Sequence, residues 1–421
     1  MRYLLLSVTE RIPEVTGEAT PAAISEDSAS DTAFDTRTVA LISAGHFAHD
    51  SYPAFIGVLL PVLSRRLGID LAAAGVLASG LRWTTLIQPL LGYWADRTDT
   101  RYWVIVAPTT TAALISLLGV APNYVTVLVL LLMTGLSHAA FHPAAGAMVT
   151  RSAGTQWGKG MSFFMTGGEL GRAVGPLYIA SLLGAVGPQR TWIAFFPGLL
   201  ASLIIYRRIG KENSLPLRHP PGDMRQALRS ERRALAILGG AVILRSIPVV
   251  GIATFYPTLA TNVGTTLLIA GLAVTIYEVG GTVGAFVGGI LSDRYGRRRV
   301  LAVAVLAGVP LLIGALVTGP TVTGICLLAL GAFAIFNANA VELVMVQEML
   351  PDNRSAAVGV TYFVKTSGSI VAMIAVGALG ELIGLREALL VGCVMAALSV
   401  PLIVALPETR RHRPHESHVS T

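Results

Sequence analysis

Long apolar stretches alternate with short polar ones along almost the whole chain, and this alternation predicts twelve membrane-spanning helices. The apolar stretches run to about 20 residues or more, the length that an α-helix needs to cross a hydrocarbon core of about 30 Å. A polar stretch divides the predicted helices into two sets of six. They are expected near 38–63, 70–95, 102–121, 124–149, 157–183 and 190–208, and then near 235–260, 265–291, 299–318, 321–348, 356–381 and 386–406.

The fold class that follows is an all-α membrane protein built of two six-helix bundles. The bundles comprise residues 38–208 and 235–406, and residues 209–234 between them form a cytoplasmic linker. Residues 1–37 are expected to be a disordered cytoplasmic N-tail, and residues 407–421 a cytoplasmic C-tail.

Composition agrees with a membrane protein and gives its orientation. The chain is 53% hydrophobic and 13% charged, whereas a soluble domain has about 25% charged residues. The net charge of +7 comes from bases that cluster in alternate loops. Twenty of these bases fall on the side of the two termini and four on the other side. The positive-inside rule therefore predicts a multi-pass protein of the cell inner (plasma) membrane with both termini in the cytoplasm.

A charged phrase is repeated at half the length of the chain. Its first copy, Gly92-Tyr-Trp-Ala-Asp96-Arg97-Thr-Asp-Thr-Arg101, ends the second predicted helix. Its second copy, Gly289-Ile-Leu-Ser-Asp293-Arg294-Tyr-Gly296-Arg297, ends the eighth. A repeat at this distance indicates that one bundle was duplicated, and two matched bundles are the architecture of a secondary transporter.

Ionisable and amide residues inside the predicted helices are the candidates for a substrate and proton-coupling site. A charge at the bilayer centre costs about 3 kcal/mol on insertion scales. Such residues are therefore expected to form ion pairs, to face a cavity or to have a function in transport. The candidates are His46, His49, Asp50, Arg82, His138, His142, Glu169, Arg172, Arg245, Glu278, Asn337, Glu342 and Lys365.

Helical spacing places several candidates together. His46 and Asp50 are four residues apart, as are His138 and His142, and Glu169 and Arg172 are three apart, close enough to pair. Histidines and buried carboxylates titrate where protons can be bound and released. Glu169 and Arg172 fit either a neutralising ion pair or a functional one. The cations Arg82, Arg245 and Lys365 fit either partners of the buried acids or a site for an anion.

The repeated phrase resembles the loop motif of the major facilitator superfamily, Gly-x-x-x-Asp-Arg-x-Gly-Arg-[Arg/Lys]. The second copy matches nearly throughout, and the first has Asp99 where glycine is usual. The resemblance implies twelve helices in two pseudo-symmetric bundles. It also implies a gating role for the motif: its aspartate sits against a helix N-terminus of the opposite half and pairs with an arginine.

A narrower resemblance is to the fosmidomycin resistance protein group, bacterial efflux proteins of that superfamily. It rests on His49-Asp50-x-Tyr52, on Phe141-His142-Pro143 and on the glycine-rich stretch from Gly167 to Pro176. The arginine that proton-linked drug exporters carry in the fourth helix is missing.

We therefore expect a secondary transporter that exports a small anionic or amphiphilic compound or drug by proton antiport, working by alternating access. The alternative is an importer or facilitator of a small organic anion or metabolite. No enzymatic activity, cofactor, metal ion or nucleic acid is expected, and the expected partners are a small-molecule substrate, protons and the lipid bilayer. The protein is expected to be a monomer.

Overall fold

The computed structural model describes residues 33–95, 98–209, 228–350 and 354–409, and these residues contain no β-strand. The predicted tails and linker lie mostly outside them, as do Asp96 and Arg97 of the first charged phrase. The N-terminal half contains α1 (Thr36–Ser51), α2 (Phe55–Leu67), α3 (Leu71–Thr85), α4 (Gln88–Ala95), α5 (Arg101–Ser116), α6 (Tyr124–Ser152), α7 (Trp157–Val186) and α8 (Phe195–Ile209). The C-terminal half contains α9 (Arg232–Asn262), α10 (Leu267–Tyr295), α11 (Arg297–Thr318), α12 (Val322–Met349), α13 (Arg354–Ile383), α14 (Leu385–Ala397) and α15 (Ser399–Val404).

Every predicted helix is found, but three of them are interrupted. The first is split into α1 and α2, the second into α3 and α4, and the twelfth into α14 and α15. Pro53 lies in the first break and has no amide hydrogen for a helical bond. Tyr52 fixes this break, because its buried hydroxyl donates to the Ala194 carbonyl at 2.7 Å and accepts from the Gly198 amide at 2.9 Å.

Eight helical segments of the described residues are long and apolar enough to cross a membrane. They correspond to the fourth, the sixth and the seventh to twelfth predicted helices. The first, second, third and fifth predicted helices are not among these eight. The first and second are interrupted, and the third, α5, is shorter than predicted because it ends at Ser116. The fifth, α7, carries Lys159, Glu169 and Arg172, which lower its hydropathy.

The two halves repeat one packing pattern. In the N-terminal half α1 packs on α7, α3 on α6, and α5 on α8. In the C-terminal half the corresponding pairs are α9 with α13, α10 with α12, and α11 with α14. A Cβ atom on Gly92 would lie 3.7 Å from Pro143, and one on Gly289 would lie 3.7 Å from Ala340. Gly92 and Gly289 are 197 residues apart in the sequence, and so are Pro143 and Ala340. The pseudo-symmetry therefore extends to individual pairs of neighbouring residues.

The halves meet on the face opposite the chain ends. We call this the far face; it carries the turns at Gly68, Gly187, Gly264 and Gly384. The terminal face carries residues 33–35 and 405–409. On the far side α3 packs on α13, α2 on α9, and the far end of α7 on α10. In addition, the Glu381 carboxylate accepts from the Leu71 amide at the start of α3 at 3.0 Å.

Glycines make this closure tight. A Cβ atom on Gly75 of α3 would lie 2.5 Å from the Met373 carbonyl oxygen of α13. A Cβ atom on Gly57 of α2 would lie 2.5 Å from the Ala253 carbonyl oxygen of α9. Backbones therefore touch directly, as is common where small residues line helix interfaces in membranes.

On the terminal side the N-terminal half has a core of its own. Val39, Val104, Phe141, Met148 and Ile205 belong to an apolar cluster confined to that half. The apolar cluster that joins both halves includes Tyr52, Leu63, Tyr256 and Tyr277. The described structure is thus closed at the far face and open between the halves toward the terminal face.

We expect Gly75→Ala to destabilise the far-face closure, because the added methyl group would collide with the backbone of α13. Spin labels at Arg65 and Val263, in a variant without Cys326 and Cys393, report the separation of the halves at this face. Their distance distribution should shift to longer values in Gly75→Ala. Gly146→Ala, whose Cβ atom would have no neighbour within 4 Å, is the matched control. An unchanged distance in Gly75→Ala would contradict this account of the interface.

Candidate substrate and proton site

The position of α1 is set by a row of glycines on α7. Cβ atoms on Gly167, Gly171 and Gly175 would each lie 2.3 Å from a backbone oxygen of α1. A Cβ atom on Gly168 would lie 2.4 Å from the His46 ring. The row lets α1 and α7 touch backbone to backbone and leaves the space that the His46 imidazole fills.

The start of α1 is fixed by its N-cap. Asp35 accepts hydrogen bonds from the amides of Arg37 and Thr38, each at 3.0 Å. Hydrogen bonding from the Thr38 hydroxyl holds the pKa of the Asp35 carboxyl below its usual value.

Three side chains of α1 and α6 form the centre of the N-terminal site. His46 Nε2 lies 3.2 Å from Asp50 Oδ2, and His142 Nε2 lies 3.4 Å from Asp50 Oδ1. The two Nε2 atoms lie 3.2 Å from each other. Asp50 is buried, with 4% of its side chain exposed, whereas 18% of the His142 side chain is exposed.

His49 and His138 complete this cluster. The His49 ring stacks on Phe141, with centroids 4.2 Å apart, and on His138, with centroids 5.4 Å apart. Both nitrogens of the buried His49 lack a hydrogen-bond partner among the described residues, as do His138 Nδ1 and Asp50 Oδ1. His138 Nδ1 is 3.9 Å from Asp50 Oδ1. Sequence spacing had placed these residues in pairs on two helices, and the structure brings both pairs to one carboxylate.

The spacing of this cluster would also suit a divalent cation. One ligand atom each from His49, Asp50, His138 and His142 lies within 4.8 Å of the others. A proton and a divalent cation would each satisfy such a set of acceptors, and treatment with a chelator distinguishes the two.

The C-terminal half holds a second cluster, built around Glu342 of α12. Arg245 of α9 donates to both Glu342 oxygens at 2.8 Å and to Asn339 Oδ1 at 2.7 Å. Lys365 Nζ of α13 lies 3.4 Å from Glu342 and donates to the Asn339 carbonyl at 3.0 Å. Arg245 and Glu342 are buried, so the carboxylate is neutralised by fixed cations.

A third group of charges lies between the halves. Glu169 and Arg172 of α7 form an ion pair with each other. Glu278 of α10 lies within electrostatic range of both and of Arg82 on α3. These side chains are surrounded by protein, yet Glu169 and Arg172 expose 26% and 38% of their surface. Residues that are deep in the protein and still accessible line a cleft.

Asn337 does not join these clusters. Its amide nitrogen donates to the Phe333 carbonyl of the same helix at 2.6 Å, and its backbone packs against Gly288. The register of α12 turns the backbone of this position toward α10, and the role of Asn337 in the site stays a prediction. Asn339, a further polar residue of the same helix, accepts a hydrogen bond from Arg245. Phe164, which stacks on His46 with centroids 4.0 Å apart, gave no signal in the sequence.

The second gating motif makes contacts within its own half. Arg297 binds Asp293 at 2.6 Å and Glu348 of α12 at 2.9 Å. Glu408 accepts from the Arg297 amide at 2.9 Å and so caps the start of α11. Gly296 precedes this helix with φ of +97°, a conformation that favours glycine. Asp293 is 73% exposed. The cross-half contact that the motif implies stays a prediction.

The first gating motif is described only in part. Gly92 packs near Pro143, and Arg101 Nε binds Asp99 Oδ2 at 3.0 Å. Asp96 and Arg97 lie outside the described residues, and Arg294 of the second copy lies 5.4 Å from the Tyr295 ring centroid.

Removing the Glu342 charge should destabilise the protein, because Arg245 would remain buried without its carboxylate. We expect Glu342→Gln to lower the free energy of unfolding by about 3 kcal/mol and to lower the thermal unfolding midpoint in detergent. The double variant Arg245→Met, Glu342→Leu should recover part of the loss, since it removes the buried guanidinium and leaves only the partly exposed Lys365 without a carboxylate. Glu387→Gln, on the far face, is the control. A Glu342→Gln protein as stable as the wild type would refute this role for the pair.

Comparisons with known proteins agree with this architecture. The Major Facilitator Superfamily profile matches residues 42–248 and 238–420. The chain is 26% identical over 390 residues to YfnC of Bacillus subtilis (strain 168), an uncharacterized MFS-type transporter, covering 89% of this chain and 93% of that protein. It is 23% identical over 317 residues to the fosmidomycin resistance protein of Escherichia coli (strain K12), covering 74% of this chain and 78% of that protein.

Among solved structures, the fold resembles a bacterial homolog of the human lysosomal transporter Spinster in an inward-facing, unoccupied conformation. The TM-score is 0.75 at 14% identity, and the match covers 87% of this chain and 95% of that one. With the profile matched along nearly the whole length, this chain belongs to the Major Facilitator Superfamily and is a multi-pass membrane transporter.

Proposed function

We propose that this transporter exports a small anionic or amphiphilic compound across the inner membrane in exchange for protons, with both chain ends in the cytoplasm. The proposal rests on one observation: the cluster around Asp50 has too few hydrogens to satisfy its own contacts unless it holds a proton.

Two backbone carbonyls determine which ring nitrogens carry hydrogen. His46 Nδ1 lies 2.7 Å from the Phe164 carbonyl, and His142 Nδ1 lies 2.9 Å from the His138 carbonyl. A carbonyl oxygen only accepts hydrogen bonds, so both Nδ1 atoms donate. In the neutral rings both Nε2 atoms are then acceptors.

These two Nε2 atoms and the Asp50 carboxylate form a triangle of acceptors with sides of 3.2, 3.2 and 3.4 Å. Acceptors repel at such distances, and a buried polar group without a partner is costly. One added proton converts the repulsion into charge-assisted hydrogen bonds. The geometry therefore favours a protonated triangle in the conformation that is open toward the terminal face.

The proton has a path to the cleft through His142. This side chain is partly exposed, whereas Asp50 and His46 are buried. The charged or titratable groups that face Asp50 are His46 and His49 on α1, His138 and His142 on α6, Arg82 on α3, Arg172 on α7 and Tyr362 on α13.

Exchange follows from the position of His142 on the cleft wall. An apolar part of a substrate placed over this ring removes water from the imidazolium and disfavours its charged form. Substrate binding on the cytoplasmic side then releases the proton, and protonation from the outside completes the cycle after the halves have reoriented. The anionic group of the substrate has the Arg82 guanidinium available in the cleft, whereas Arg172 and Lys365 are already paired with Glu169 and Glu342.

One observation favours the alternative, import of a small organic anion. Arg82 lies within electrostatic range of Asp50. Protonation of the Asp50 cluster removes negative charge near Arg82, so a simple anion would bind together with the proton rather than against it. Such linkage gives co-transport. The direction of proton movement that accompanies the substrate decides between the two functions.

Asp50→Asn should abolish proton-coupled transport, because an amide cannot take part in proton exchange. The test uses everted vesicles of a pump-deleted host, a pH-sensitive dye and a panel of compounds that starts with fosmidomycin. Wild-type vesicles should show substrate-dependent proton release, Asp50→Asn should show none, and Glu387→Gln should match the wild type. Transport by Asp50→Asn at the wild-type rate would refute the assignment. A chelator should change nothing, and loss of wild-type transport in its presence would assign the cluster to a metal instead.

His142→Gln should slow proton exchange by roughly 100-fold, since glutamine keeps a hydrogen bond but cannot carry the proton. His138→Gln is the matched control on the same helix, because His138 lies outside the triangle. Proton uptake after a pH jump, in purified protein, measures the rate. Equal effects of the two substitutions would show that His142 is not the path.

A further inference from the structure

Arg82 and Glu278 lie at similar depths in corresponding helices of the two halves but carry opposite charges. The helix α3 begins at Leu71 and α10 begins at Leu267, so each residue lies eleven positions into its helix. The two helices also have equivalent packing, α3 on α6 and α10 on α12. Each residue precedes the glycine that begins a copy of the gating motif, Arg82 by 10 residues and Glu278 by 11.

These two side chains lack the partners that the neighbouring charges have. Arg172 pairs with Glu169, and Arg245 and Lys365 pair with Glu342. Among the described residues, no hydrogen bond or ion pair within 4.0 Å involves the Arg82 guanidinium or the Glu278 carboxylate. Arg82 and Glu278 nevertheless lie within electrostatic range of each other, and Arg172 lies within electrostatic range of both.

Unpaired charges at this depth need an explanation, because their insertion into the membrane is costly. The two groups are close enough to interact and too far apart to form an ion pair. A guanidinium offers a planar fork of donors that matches a phosphonate, sulfonate or carboxylate group. A carboxylate offers only acceptors and matches an ammonium or another hydrogen-bond donor.

We propose that Arg82 and Glu278 bind the two ends of one small dipolar substrate, with its anionic group on Arg82 and its cationic or donor group on Glu278. This inference rests on the proposed transport function and narrows its substrate class. A compound with only one of these ends leaves one charge of the cleft unpaired and is discriminated against.

The arrangement also suggests how binding is linked to movement. Arg82 belongs to the N-terminal half and Glu278 to the C-terminal half, so a bridging substrate attracts both halves to itself. A ligand shifts an equilibrium only by its difference in affinity between two states. A dipolar substrate has such a difference, because it contacts both ends only when the halves have closed around it.

Binding to the purified protein tests this inference without a proton gradient. The probes are a series of ω-aminoalkylphosphonates of increasing chain length, alkylphosphonates without the amine, and alkylamines without the phosphonate. Affinity is measured by calorimetry at constant pH. We expect the best aminoalkylphosphonate to bind the wild type at least about 10-fold more tightly than either single-ended compound.

The variants separate the two ends. Arg82→Gln should lose the preference for the phosphonate and Glu278→Gln the preference for the amine, each by on the order of 10-fold. Arg82→Lys keeps the positive charge but loses the planar fork of donors, so its affinity for the phosphonate should lie between those of the wild type and Arg82→Gln. The far-face substitutions Arg65→Gln and Glu387→Gln should have no effect.

Three results would overturn the inference. The first is no tighter binding of any aminoalkylphosphonate than of its single-ended analogues. The second is unchanged affinity in both Gln variants. The third is an unchanged preference for aminoalkylphosphonates over the single-ended compounds in the double variant Arg82→Gln, Glu278→Gln, which would mean that other groups bind the two ends. Failure of Asp50→Asn to uncouple transport would refute proton exchange alone, because these binding measurements do not depend on it.

Discussion

A carboxylate that is buried within a membrane must be neutralised by side chains held in place beside it, and this requirement organises both halves of the transporter. Each half buries one acid between its first and fourth predicted helices. Asp50 is surrounded by imidazoles, whereas Glu342 is surrounded by Arg245 and Lys365. Arginine does not release its proton under physiological conditions, but histidine does. In the proposed mechanism, proton exchange therefore takes place in the N-terminal half, although the two sites have related architecture.

The clusters depend on close helix packing elsewhere. The glycine row of α7 brings α1 near enough for His46 to reach the Phe164 carbonyl, and that contact orients the imidazole toward Asp50. On the far face, Gly75 permits a similar approach between α3 and α13. Close packing at one face and separation at the other leave the cleft accessible from a single side, which alternating access requires.

Sequence alone could predict features that depend on local spacing. The helices, the two halves and the pairing of Glu169 with Arg172 follow from periodicity and from separations of a few residues. The sequence alone could not predict contacts between helices that are distant in the chain, such as that of Arg245 with Glu342. Such contacts depend on how each helix is rotated about its own axis. Asn337 and Asn339 show this limit: both are asparagines and they are only two residues apart on α12, yet only Asn339 reaches Arg245. The sequence shows a proline at position 53, but it does not show that the first predicted helix is interrupted there.

The pseudo-symmetry explains why the two halves can differ in chemistry without losing their common fold. The separation of 197 residues that relates Gly92 to Gly289 and Pro143 to Ala340 also relates His142 to Asn339. Both of these side chains face the buried acid cluster of their half, and both accept or donate hydrogen bonds, but only histidine carries a proton. At this pair of equivalent positions, the N-terminal half has a titratable histidine where the C-terminal half has an asparagine, which does not titrate. Backbone packing, which involves mainly glycine and alanine, constrains the helices and leaves these polar positions able to diverge.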